Sequence, residues 1–254
     1  MRAIFMFHSI DESGSPISVE PRVFRQQMEF LARGRPRVVP LADVATDDAP
    51  DETIALTFDD AFANFDEHAA PIMADLGLPA TVFVVTEHVG KTNAWGNATS
   101  TLASGGTIPI LPLMTWDAIK RVTRDGIEIG AHTRSHPQLT SLSDQMLSHE
   151  VDEPAERLER ELGSRPTAFA YPYGDLDHRV VGAVRRTYPR ACTTELRALD
   201  HGENPVLLPR LDAYYFRAPG QLEQWGTSAF QRRIWFRAQA RRVRRFVASA
   251  AERV

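Results

Sequence analysis

Residues 54–85 read IALTFDDAFANFDEHAAPIMADLGLPATVFVV. The run opens with five apolar or β-branched residues, Ile54 to Phe58, and closes on two carboxylates, Asp59 and Asp60. A helical pattern over residues 64–76 follows, Gly77 stops it, and a second apolar run occupies residues 80–85. Short runs rich in Val, Ile, Phe and Thr on either side of a helix of about a dozen residues predict strand, helix, strand.

The same unit recurs along the chain. Strands are predicted at residues 3–7, 38–41, 54–58, 80–85, 127–131, 168–170, 191–193 and 206–211, with helices at 21–32, 64–76, 115–123, 143–162 and 177–186. Gly34, Gly77, Gly126 and Gly163 mark helix ends, where glycine tolerates the left-handed backbone that stops a helix. This alternation predicts a mostly parallel sheet wrapped by helices, either closed as a barrel or open. In both forms the carboxyl ends of the strands converge on one rim, where ligands sit. Residues 86–114 interrupt the pattern with many Gly, Pro and Asn, and a loop of that length is expected to face substrate or to run over the surface.

Composition narrows the classes. The chain has 254 residues, 43% hydrophobic and 24% charged, enough for a sizeable core. A formal charge of −4 argues against a surface built to hold nucleic acid. Cys192 is the only cysteine, which excludes an intrachain disulfide and any multi-cysteine metal site; it is expected to be a buried thiol. The apolar residues 4–7 are too few for a signal peptide, and nowhere do about 18 apolar residues run together. A cytoplasmic location is therefore the expectation.

Three predicted strand ends carry most of the chemistry. The first ends in Asp59-Asp60, the second in His132-Thr133-Arg134-Ser135-His136, and the third in Tyr171-Pro172-Tyr173-Gly174. Two imidazoles four residues apart on one helical turn can face the same divalent ion, and a carboxylate from a neighbouring strand completes a three-ligand site with an open position for water. Zinc suits such ligands, and cobalt, nickel or iron fit them too. Of two adjacent carboxylates, one can bind the ion while the other stays free to accept a proton. The plain alternative makes Asp60 a helix N-cap, Asp59 a solvated acid and the histidines part of a polar loop stopped by Pro137.

At these residues the chain resembles the polysaccharide deacetylases, the NodB-homology hydrolases of carbohydrate esterase family 4, over about residues 1–212. Thr57-Phe58-Asp59-Asp60 is similar to the first family motif, His132-Thr133-Arg134-Ser135-His136 to the second, and Arg165 through Gly174 to the third. The resemblance implies an irregular (β/α) barrel and a metal-dependent N-deacetylase. It implies that Asp60, His132 and His136 hold the ion, that Asp59 is the general base, and that the backbone N–H of Tyr173 supports the oxyanion. The Leu-x-x-His motif of many relatives is missing after the last strand. Phe7-His8 instead resembles the Tyr-His opening of the poly-N-acetylglucosamine branch, which nominates His8 as general acid, against the alternative of a structural histidine. Ala61 stands where the family usually has glycine, and Ala170 where many relatives have the arginine that orients the base. Arg210 resembles the fourth-motif arginine and is the candidate for that role; a surface ion pair is its alternative. Trp95, Tyr171 and Tyr173 are nominated to contact sugar rings.

The substrate so implied is an acetylated amino-sugar glycan or a lipid-linked saccharide. A small-molecule amidase or cyclic-amide hydrolase is the rival enzyme, and a noncatalytic glycan-binding or membrane-associated scaffold the rival from another class. Residues 213–254 form an extension whose tail is strongly basic: from Phe230 to Val247 there are seven arginines and no acid, and removing those seven charges from −4 leaves −11 on the rest. Phe236, Ala240, Val243 and Val247 recur at helical spacing, which predicts a basic amphipathic helix. It is expected to pack on the acidic body or to lie on the inner face of an anionic membrane, with no nucleic-acid partner. The oligomeric state is left open.

Overall fold

The computed structural model describes residues 1–46, 48–95 and 108–251. In chain order the elements are β1 (Ala3–Phe7), β2 (Ser9–Ile10), β3 (Ser18–Val19), α1 (Pro21–Leu31), β4 (Arg37–Val38), α2 (Leu41–Val44), β5 (Thr53–Phe58), α3 (Ala70–Leu76), β6 (Thr81–Val84) and α4 (Trp116–Arg124). They continue with β7 (Glu128–Ala131), α5 (Asp144–Leu162), β8 (Ala168–Ala170), α6 (His178–Thr187), β9 (Arg190–Cys192), β10 (Leu211–Asp212) and α7 (Ser228–Ala251).

Eight strands build one parallel sheet in the order β10-β1-β5-β6-β7-β8-β9, with β4 on the amino-terminal half of β5. The far edge of β5 is thus shared, with β4 at Thr53 and Ile54 and β6 at Thr57 and Phe58. Closure depends on one short segment: Leu208 bridges Cys192 at β9, and three residues later Leu211 pairs with Phe5 of β1. The sheet therefore curls into the expected irregular barrel.

Side chains alternate across the strands, as a period of two requires. Ile4, Ala55, Phe83, Ala170 and Cys192 form an inner cluster, while Phe5, Phe7, Phe58, Val82 and Phe169 pack outward against the helices. Both faces are covered, so strand residues are buried with little polar alternation. Helix starts follow local chemistry: Thr115, Ser143 and Asp177 cap α4, α5 and α6 with side-chain oxygens, and Pro21 opens α1. The four marker glycines all take positive φ.

Two predicted strands are corrected. Of residues 38–41 only Val38 is in a strand, because Pro40 lacks the N–H a ladder needs and Leu41 begins α2. Of residues 206–211 only Leu211 is in β10, since Leu208 pairs with the other edge and Pro209 breaks the ladder between them.

The extension after Asp212 packs on the domain. Phe216 meets Phe5 edge-on at 5.6 Å and stacks on Phe230 at 4.8 Å, with Leu222 and Ile234 in the same cluster. α7 docks through Phe230 and Ile234, whereas Phe236 and Val243 are exposed. Among the described residues no helix is long and apolar enough to cross a membrane.

Gly130 of β7 shows how tight the interior is. A Cβ there would lie 2.5 Å from the Phe83 ring and 2.9 Å from the Ala168 carbonyl oxygen. Gly130→Ala is expected to lower stability by about 1–3 kcal/mol, read as a drop in thermal unfolding temperature; an unchanged temperature would mean that β6 and β8 are looser than described.

Candidate metal and catalytic site

Parallel strands deliver their carboxyl ends to one rim, and there the polar residues meet. His8 follows β1, Asp59 and Asp60 follow β5, His132 follows β7, Tyr171 follows β8 and Thr193 follows β9. Asp60 Oδ1 lies 3.4 Å from His132 Nε2 and 3.5 Å from His136 Nε2. All three residues are buried, and they are the group of metal-ligating side chains found among the described residues.

The arrangement fits a divalent cation on its own chemistry. Nδ1 of His132 donates to the Ala170 carbonyl at 2.7 Å, because a carbonyl can only accept, and this leaves Nε2 with its lone pair toward Asp60. Asp60 Oδ1 is buried with no hydrogen-bond partner, an arrangement that costs about 1–3 kcal/mol or more for a charged group unless a cation compensates it. Burial and the neighbouring Asp59 push the Asp60 carboxyl well above its usual range. Burial likewise lowers His132 to about 4 and His136 well below its ordinary value. The imidazoles are thereby neutral at pH 7, the form that binds metal.

Asp59 is held differently. Arg210, fully buried, grips it with Nη1 to Oδ1 at 2.6 Å and Nη2 to Oδ2 at 2.7 Å. Two further donors are placed, Nη1 on Thr57 Oγ1 at 3.2 Å and Nε on the Thr193 carbonyl at 2.9 Å. Burial alone would raise the Asp59 carboxyl, but the Arg210 guanidinium, with His132 and His8 nearby, overrides it and keeps the group far below the ordinary carboxylate range. His8 Nε2 stands 4.0 Å from Asp59 Oδ2 on the other side. Burial lowers the His8 pKa against the opposing pull of Asp59 and Asp212.

Backbone strain is concentrated here. Among the described residues six non-glycine residues have positive φ, and five of them, Asp60, Ala61, Thr133, His136 and Tyr173, line this rim. Ala61, at φ 58°, occupies the conformation that glycine adopts at least cost. The His132–His136 segment is a tight loop rather than the helical turn inferred from its spacing. Thr133 Oγ1 accepts from the His136 N–H at 2.9 Å and holds the bend.

Against this geometry the chain can be placed among known proteins. Residues 46–190 match the family described as Polysaccharide deacetylase. The chain belongs to that family. Among individual polysaccharide deacetylase relatives, the deacetylase-like protein YxkH of Bacillus subtilis is 24% identical over 214 residues, 82% of this chain and 70% of that one. The poly-beta-1,6-N-acetyl-D-glucosamine N-deacetylase of Staphylococcus aureus is 21% identical over 172 residues, 64% of this chain and 54% of that protein. Of solved structures, IcaB from Ammonifex degensii superposes with a TM-score of 0.70 at 20% identity, covering 91% of this chain and 96% of its own. The Streptococcus pyogenes deacetylase PplD in complex with acetate gives 0.68 at 22%, covering 83% and 91%.

The remaining sequence-nominated residues divide. Tyr173 is half-exposed in a left-handed turn, its ring edge-on to His136 at 4.6 Å. The turn requires Gly174, where a Cβ would fall 2.0 Å from Thr194 Oγ1. Trp95 stacks on His136 at 4.3 Å and meets His88 edge-on at 5.3 Å. Residues 96–107 of the long loop lie outside the described residues. Tyr171 is corrected: it is fully buried beside Phe169, with its hydroxyl donating to the Val206 carbonyl, so its ring offers no face to a sugar. Arg210 precedes β10 instead of ending a strand. Cys192 is buried as expected, and burial pushes its thiol up to about 12.

Sequence reading missed Glu150. This buried carboxylate on α5 accepts from the backbone N–H of Arg134 at 3.0 Å and of Ser135 at 2.8 Å, and from Ser135 Oγ at 2.7 Å, so it pins the loop between the two histidines. No spacing rule links position 150 to that loop; only the packing of α5 beside β7 does. Glu150→Ala is expected to weaken divalent-cation binding by about 10–100-fold, as loss of an outer partner does, measured by calorimetric titration. Glu150→Gln, which keeps one acceptor, should recover part of the loss, and equal affinity in all three proteins would remove Glu150 from the site.

Proposed function

We propose that this protein hydrolyses the N-acetyl group of an acetylated amino sugar within a glycan, releasing acetate and a free amine. The carrying observation is the pairing of a buried Asp60–His132–His136 cluster with a second carboxylate, Asp59, kept ionised by Arg210. A divalent cation held by the cluster, with zinc the best match to its ligands, supplies Lewis-acid polarisation of the amide carbonyl and lowers the pKa of a coordinated water.

The chain's own residues then account for the protons. Asp59 accepts one from the attacking water as the new C–O bond forms, and Arg210 orients it for that task. The strong ion pair makes Asp59 a weak base that is ionised across the working pH range, even with Asp60 beside it. The Tyr173 backbone N–H, fixed by the left-handed turn, is suited to stabilise the oxyanion before charge develops there. His8 is suited to deliver a proton to the departing nitrogen as the C–N bond breaks, because it shares the rim with Asp59, which stands 4.0 Å from its Nε2 and opposes the lowering of its pKa by burial. Trp95, stacked on His136, is the candidate platform for a sugar ring. That the substrate is a polymer of N-acetylglucosamine is favoured by the relatives named above and by the position of His8.

Acetate release from a panel of acetylated amino-sugar oligosaccharides, with the cation-loaded enzyme, tests the reading; silence across the whole panel would end it. Asp59→Asn should still bind cation yet lose turnover by about a thousandfold or more, within the range typical of acid–base groups. For His8 the sign follows from its role as donor: the wild-type rate should fall as pH rises through the His8 pKa, which lies below 6.5. His8→Ala should abolish that limb and slow the reaction by about 10²–10⁴-fold; a variant with the wild-type pH profile would show that another group is the acid.

A further inference from the structure

α7 carries two apolar faces on opposite sides. Phe230 and Ile234 are buried against the domain, and Arg241 joins them there, bonding Asp212 at 3.0 Å. At 100° per residue, Trp235, Val243 and Phe236 fall within one arc of about 100° on the far side. These three are 57%, 62% and 63% exposed, and the two rings form an edge-on pair at 4.9 Å. Arg232 lies within that arc, and Arg233 flanks it about 60° beyond Phe236. A surface aromatic pair with a third large apolar residue, set in a stretch of seven arginines without an acid, is unusual for a face that meets only water.

The charge pattern identifies the occupant. The remainder of the chain carries −11, so an anionic surface repels the body and attracts α7 alone, which dictates orientation as well as binding. Trp235 and Phe236 with Arg232 on one helix face and Arg233 flanking it suit the boundary between phospholipid headgroups and acyl chains, where the rings bury and the guanidiniums meet phosphate. We propose that the outer face of α7, centred on Trp235, Phe236, Val243 and Arg232, is a docking surface for an anionic phospholipid membrane. The contact of Arg241 with Asp212, at the end of β10, holds α7 beside the rim that bears His8. Docking therefore sets that rim near the lipid boundary. The inference is independent of the reaction proposed above.

Sedimentation of the full chain with vesicles of phosphatidylcholine and phosphatidylglycerol, against phosphatidylcholine alone, tests it. Binding to the anionic vesicles is expected to exceed binding to the neutral ones by about tenfold or more and to weaken in high salt. Arg232→Gln with Arg233→Gln should lose about fivefold per arginine, and Trp235→Ser with Phe236→Ser about tenfold or more. Arg232, Trp235 and Phe236 are exposed and Arg233 is half-buried at the flank, so thermal unfolding should be unchanged. In unmutated protein, the part of the tryptophan emission absent from Trp235→Phe should shift to the blue on anionic vesicles, a readout that does not depend on the other variants folding. Equal sedimentation of the variants, absence of anionic binding, or a concentration-dependent dimer in lipid-free solution that the Trp235/Phe236 variant abolishes would overturn the proposal; the last would assign the face to a second copy.

Discussion

The Asp59–Arg210 ion pair is the contact on which both the barrel and its chemistry depend. Its two members are 151 residues apart, one at the end of β5 and the other on the segment that joins the two edges of the sheet. Two charges in an interior are tolerated only when geometry and hydrogen bonding are complete, and here the guanidinium is also bonded to Thr57 and Thr193. Thr57 in turn donates to the Phe5 carbonyl, so strands β1, β5 and the closing segment are tied at one point. The interaction that locks closure is therefore the same one that holds Asp59 anionic. Asp60, one residue along and without a cation-bearing partner, is driven toward its neutral form. Arg210 lowers both carboxyls, but only Asp59 is gripped closely enough to overcome burial; at Asp60 burial and the neighbouring Asp59 charge win.

Around that pair the rim stores conformational strain. Left-handed backbone at Thr133 and His136 is unfavourable for side-chain-bearing residues, and for a β-branched threonine in particular. It persists because Thr133 Oγ1, Glu150 and the packed α5 determine the loop more strongly than local preference opposes it. The consequence is that two imidazoles, which on a helix would merely share a face, are turned onto one carboxylate oxygen. Preorganisation of this kind places the reorganisation cost in folding instead of in binding or reaction.

α7 shows the same economy at the periphery. One stripe of the helix completes the core begun by Phe5, Phe216 and Leu222, and the opposite stripe leaves Trp235, Phe236 and Val243 exposed. Because Arg241 reaches Asp212 at the end of β10, α7 is fixed in position relative to the rim that bears His8 and Asp59.

Much of this was legible in residue order. Apolar runs bounded by glycine-stopped helices determined the alternation of strand and helix, since burial on both faces of a parallel sheet leaves that imprint on each segment separately. Asp59, Asp60, His132 and His136 were readable as a set because strand ends in such a sheet share a rim. What only the tertiary structure decided are the relations that local pattern does not encode: the reach of Arg210 to Asp59, the grip of Glu150 on the histidine loop, the burial of Tyr171, and the choice of Phe230 and Ile234 over Phe236 and Val243 as the docked face of α7. Each depends on the three-dimensional approach of segments distant in sequence, where packing volume and the pairing of buried charges select one arrangement among several that the same residues permit.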